Sequence, residues 1–178
     1  TANIWTMINR GQARALHCLL ERFVVGQMDT ELWARVTIAL GEVNTWLGQS
    51  QPARANYLEA LAQLAQPRGS LADSTHGIQA LRQLRARACR GMGDSLEFES
   101  PPQALDWLRR GLDELAGTSA LEEATLHIKI GNIQADDVGD LAAALHSFER
   151  GLSLLPEGPS RLRATALLSL GNIHASQG

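Results

Sequence analysis

The chain has 178 residues, with 16 Lys and Arg against 19 Asp and Glu and a formal charge of −3. That balance offers no basic face of the kind nucleic-acid binding needs. No apolar stretch approaches the roughly 20 residues that span a bilayer, and Thr1 to Gly11 lacks the basic and apolar segments of a secretory signal.

In chain order, apolar spacing predicts helices over 3–10, 12–26, 30–47, 52–66, 72–93, 101–116, 119–136, 140–155 and 160–176. Hydrophobic content of 44% suffices for a core, and aromatic content of 4% suits packing of Ala and Leu helices rather than a β-sandwich. The first two segments read as a clipped helix followed by a full one. In 30–47, Leu32, Val36, Ala39, Leu40 and Val43 fall at helical spacing. Gly48 stands where the chain must reverse, a place for a left-handed residue. Pro52 suits the first turn of the next helix, where its missing N–H costs nothing, and Leu58, Leu61 and Leu64 repeat at turn intervals. Polar linkers follow over 66–75, 117–121 and 157–160. Asp140 is placed to cap the helix that opens at Leu141.

Chemistry-bearing patterns are sparse. The five histidines show no i, i+4 pair, and His17 and Cys18 are expected on different helix faces. Asp136, Asp137 and Asp140 lack the alternating ligands and distal Glu of a calcium loop. Phosphate-cradling and nucleophile-elbow motifs do not occur. No catalytic residue, metal or cofactor is therefore expected, and the chain does not read as an enzyme. Two cysteines without a CxxC motif point to a reducing, cytoplasmic interior.

The strongest signal is a period. Leu40-Gly41, Arg90-Gly91, Ile130-Gly131 and Leu170-Gly171 each fall late in a helical run, and the last three glycines are 40 residues apart. Ala104, Leu108, Gly111 and Leu112 recur at the same interval as Ala144, Phe148, Gly151 and Leu152. Self-similarity at such a period marks stacked helix pairs. The expected fold is all-α: antiparallel pairs stacked into a superhelical solenoid. One array is expected, with units near 1–27, 31–67, 76–117 and 121–157 and an incomplete 161–178. Glycine inside a helix costs about 0.5–1 kcal/mol relative to alanine. Close packing must offset that, with Gly41, Gly91, Gly131 and Gly171 admitting a neighbour while Tyr57, Leu108 and Phe148 fill the gaps.

These residues resemble the tetratricopeptide repeat (TPR). In residues 31–67, Leu40-Gly41, Gly48, Ala53, Tyr57, Ala60 and Leu61 match that pattern, although Asn44 stands where the family has an aromatic. In 121–157 the matches are Gly131, Gly139, Ala144, Phe148, Leu152 and Pro156. The resemblance implies a protein-interaction scaffold whose first helices line a concave groove for a peptide or helix of a partner. By register from each glycine, that groove takes Arg35, Ile38, Glu42 and Trp46, then Arg85 and Met92, then Ile128, Lys129 and Asn132, then Leu168 and Asn172. In peptide-binding members an Asn directly after the glycine grips the ligand backbone, since an amide both donates and accepts. Arg35 and Arg85 could hold a carboxylate, with Trp46 and Met92 as apolar anchors. An alternative is an effector-sensing or autoinhibitory segment of a larger signalling or transcription regulator, for the chain is expected to be a piece of a longer protein. Self-association through the final helix, with Leu167, Leu170 and Ile173, is a third expectation.

Overall fold

The computed structural model describes residues 12–23, 29–65, 74–115 and 117–177. The expected helix over 3–10 and most of the 66–75 linker lie outside them. Among the described residues there is no strand, and eight α-helices follow one another: α1 (Ala13–Phe23), α2 (Thr30–Trp46), α3 (Ser50–Ala65), α4 (Thr75–Leu96), α5 (Pro101–Leu115), α6 (Ala120–Ile133), α7 (Leu141–Leu154) and α8 (Arg161–Gln177).

A short polar side chain closes the start of every even-numbered helix. Asp29 accepts from the Leu32 N–H at 2.7 Å, Ser74 from Gly77 at 3.0 Å, Ser119 from Glu122 at 3.4 Å and Ser160 from Arg163 at 3.1 Å. Each supplies an acceptor to a backbone donor that the helix itself leaves unpaired. Asp140 caps α7 as expected, accepting from the Ala143 N–H at 3.0 Å. The α2–α3 reversal turns at Gly48, with φ of 73°, a left-handed conformation that suits a residue without a Cβ. Helix α6 stops three residues short of its expected end. A π-turn over Gln134–Val138 replaces its last stretch and closes at Gly139 with φ of 75°. The Gln134 carbonyl accepts from the Gly139 and Asp140 N–H groups, and the buried Gln134 side chain accepts from Ser147 Oγ at 2.7 Å.

Consecutive helices pack on each other throughout, and the even-numbered helices also meet, α2 with α4 and α6 with α8. Two apolar clusters carry the stack. One joins α2 to α6 through Ile38, Tyr57, Leu64, Leu84, Met92, Leu108 and Leu126. The other joins α6 to α8 through Ala124, Ile128, Phe148, Ala166 and Ile173. Helix α6 belongs to both, so apolar residues surround it on two sides, which is the pattern of a helix in the interior of a stack.

Tyr57 shows how the small residues work. Its ring lies between α2 and α4, where a Cβ on either Gly41 or Gly91 would stand less than 3.0 Å from ring atoms. Its hydroxyl meets Thr45 Oγ1 at 3.2 Å, and burial pushes its phenol above the usual range. Phe148 occupies the corresponding seat at Gly131. Leu108 seats on Gly93, and among the described residues no atom lies within 4 Å of a Cβ added at Gly171.

Candidate partner-binding face

The even-numbered helices are joined side to side by one polar link per step. Glu42 of α2 accepts from Arg87 of α4 at 2.7 and 2.5 Å, with Arg90 3.6 Å away. Asp94 of α4 pairs with Lys129 of α6 at 2.6 Å. Asn132 of α6 accepts from Ser169 of α8 at 3.2 Å. The pair at Glu42 is nearly buried, and desolvation alone would lower the Arg87 pKa; the Glu42 bond and charge outweigh it and raise it instead.

Two hollows open along this face. The first, about 220 Å³, is lined by Arg35 of α2, by Gln83, Leu84, Arg87 and Arg90 of α4, and by Glu122 of α6. Its three guanidinium groups are balanced by Glu31 on Arg35, by Glu42 on Arg87 and Arg90, and by Glu122 in the wall. The second, about 250 Å³, lies between α6 and α8, with Asn132, Asp136, Ser169 and Asn172 among its polar lining and Leu141, Phe148 and Ile173 on its apolar side. A third, wider hollow of about 550 Å³ lies at the α7–α8 turn, lined by Pro159, Arg161, Arg163 and Leu167 among others.

The predicted residues divide between this face and the core. Arg35 and Trp46 are exposed, and the Arg35 guanidinium donates to Glu31 Oε1 at 2.9 and 2.5 Å. Lys129, Asn132 and Asn172 lie on the face, with the two asparagines lining the same hollow. Leu168 is 69% exposed. Glu42 is buried as the anchor of the α2–α4 link, so it positions arginines rather than meeting solvent. Ile38, Met92 and Ile128 are corrections, being buried to 0%, 4% and 2% exposure. Ile38 and Met92 belong to the first core cluster, while Ile128 sits in the second, where a Cβ on Gly151 would come within 2.8 Å of it. Arg85 is also corrected: it donates to the Leu64 carbonyl of α3 at 2.5 Å and lies 3.7 Å from Glu114 of α5, so it serves the odd-numbered helices. His17 and Cys18, expected apart, bring ligand atoms within 4.8 Å of each other and of Glu21 on one turn of α1. Three donors from one helix turn are not the closed four-ligand set of a structural zinc site.

No family model matches this chain, and neither does any curated protein. Eight chains of solved structures do match. One is a crystal structure of MamA, a TPR-containing protein, with a TM-score of 0.64 over 97% of this chain and 83% of that chain at 16% identity. The fold is TPR-like.

The TPR-like array explains why the register misled at α4. Gly41 and Gly131 each seat the ring of the helix that follows, Tyr57 and Phe148. In α4 the glycine that seats the following helix is Gly93, against Leu108, whereas Gly91 seats Tyr57 of the preceding helix. Counting from Gly93 moves the face by two residues, replacing Arg85 with Arg87 and Met92 with Asp94. The residue after each seat is then Glu42, Asp94 and Asn132, each the acceptor of its cross-helix link. The sequence carried this signal in Gly-Glu, Gly-Asp, Gly-Asn and Gly-Asn, a polar acceptor after each glycine.

Proposed function

We propose that this chain is a protein-interaction module that holds a peptide or a helix of a partner across α2, α4, α6 and α8. Recognition uses a preformed surface and needs no chemistry. The observation that supports this reading most is the pair of polar-lined hollows on the even-helix face, with cross-helix links holding the lining in place. Fixed donors and acceptors lower the ordering cost of binding. At about 220 and 250 Å³ the hollows are smaller than the roughly 300–1,000 Å³ of pockets that enclose whole small molecules. They suit successive side chains of a bound segment better than a metabolite, which favours the scaffold reading for this face; the wider hollow of about 550 Å³ lies elsewhere, at the α7–α8 turn.

Asn132 and Asn172 are assigned to grip the bound backbone. Peptides selected from a displayed library against the intact chain provide the test. The double variant Asn132→Ala and Asn172→Ala should weaken such a peptide by about tenfold or more, a cost of roughly 1.4 kcal/mol, with far-UV circular dichroism unchanged. Equal affinity for the parent and the double variant would reject the assignment.

A further inference from the structure

We infer that the hollow between α6 and α8 receives a lysine or arginine side chain of the partner, so that the segment bound there is basic. This deepens the interaction reading and rests on it.

The hollow has the two halves such a side chain needs. Ala135 and Leu141, both half-buried, offer apolar wall for an aliphatic stem above the buried Phe148 and Ile173, while Asn132, Asp136 and Asn172 offer oxygen acceptors for the charged head. Long basic side chains bind in this divided way, with stem on apolar surface and head on polar groups. A volume of about 250 Å³ fits one side chain rather than an enclosed ligand.

The charge around the hollow is one-sided. Asp136 lines it, and Asp137 follows in the same exposed turn. Asp94 and Glu97 at the end of α4 share the same field. Burial first, then the charges of Asp94, Asp137 and Asp136, hold the Glu97 carboxyl above its usual range, against the opposing pull of Lys129. Lys129 is the cation facing this group, and Asp94 already holds it at 2.6 Å. Arg161 and Arg163 stand eleven and nine residues before Asn172 on α8, roughly 17 and 13 Å along the helix axis. By contrast, the first hollow is lined by three arginines, one paired with Glu31 and two with Glu42, and by the single acid Glu122. The π-turn makes the site. Gln134 is drawn inward onto Ser147, so the backbone leaves the α-helical path there and Asp136 is carried on the exposed turn at the rim. Single π-turns within helices recur at functional sites.

The test needs no natural partner. The intact isotope-labelled chain is titrated with Nα-acetyl-lysine methylamide, and separately with its norleucine and glutamate counterparts, while the NMR signals of Asn132, Ser169 and Asn172 are followed. The lysine compound should shift them saturably and bind at least about fivefold tighter than either counterpart at low salt. Asp136→Asn should weaken it by about fivefold or more, whereas Asp106→Asn, the same charge change on α5, should alter it by less than about twofold. Equal binding of the glutamate or norleucine compound, no saturable shift, or an unchanged affinity in Asp136→Asn would overturn the inference. A library-selected peptide that loses affinity on Asn132→Ala and Asn172→Ala while placing an acidic residue in this hollow would overturn it too, yet leave the interaction reading standing.

Discussion

At the scale of single residues, Tyr57 is the side chain on which the order of helices turns. Its ring is held by Gly41 on one side and Gly91 on the other, and Thr45 holds its hydroxyl. A ring pinned from three directions cannot yield to an added methyl group. Gly91→Ala gains about 0.5–1 kcal/mol of helix propensity but forces overpacking that costs about 1–3 kcal/mol. The net expectation is a loss of up to about 2.5 kcal/mol in urea unfolding. Gly171→Ala provides the matched control, since nothing lies within 4 Å of its added Cβ. It should gain about 0.5–1 kcal/mol. A stabilising Gly91→Ala, or two substitutions of equal effect, would mean that the ring seat does not organise the stack.

At the scale of elements, the end of α4 carries a penalty that pH should reveal. Glu97 is partly desolvated among Asp94, Asp136 and Asp137, so the folded chain keeps its proton to higher pH than the unfolded chain does. The unfolded state then binds fewer protons in that window, and stability falls as pH rises from the ordinary carboxylate value of 4.5 through the raised one. Glu97→Gln cannot ionise. It should be more stable than the parent at neutral pH and converge with it below the ordinary carboxylate range, as read by urea midpoints across pH. A difference that stays constant with pH would show that Glu97 does not titrate as described. The elements themselves were largely legible, because apolar period agreed with Gly48 and Pro52 at the α2–α3 reversal and with the Asp140 cap at α7. Where one glycine marked each seat, the register put Arg35 at an exposed position and Asn132 in the lining of a hollow. It failed at α4 because Gly91 and Gly93 both offer a seat, and the even interval of 40 residues favoured the one that faces backwards. It failed at Ile38 and Ile128 because register alone cannot tell a side chain aimed at solvent from one aimed at the next pair. The π-turn left no periodic trace, since Gln134 is held by a side-chain bond to Ser147 thirteen residues away.

At the scale of the whole molecule, the stack is a series of neighbours. The first apolar cluster ends on α6, and the second begins on its other side. Such arrays derive their stability from each unit and its contacts with the next. On α8, no described residue seats on Gly171, and Leu167 and Leu168 are exposed. No described helix is long and apolar enough to cross a membrane. What the series leaves available is one continuous row of even-numbered helices, joined by polar links and opened by two hollows. Amide hydrogen exchange of the intact chain, with and without a library-selected peptide, tests that row most directly. Slowed exchange is predicted in 83–90 of α4, 129–136 at the end of α6 and 169–175 of α8, with smaller change in α3, α5 and α7. Slowing confined to α3, α5 and α7, or to the α7–α8 turn and the exposed leucines of α8, would contradict it.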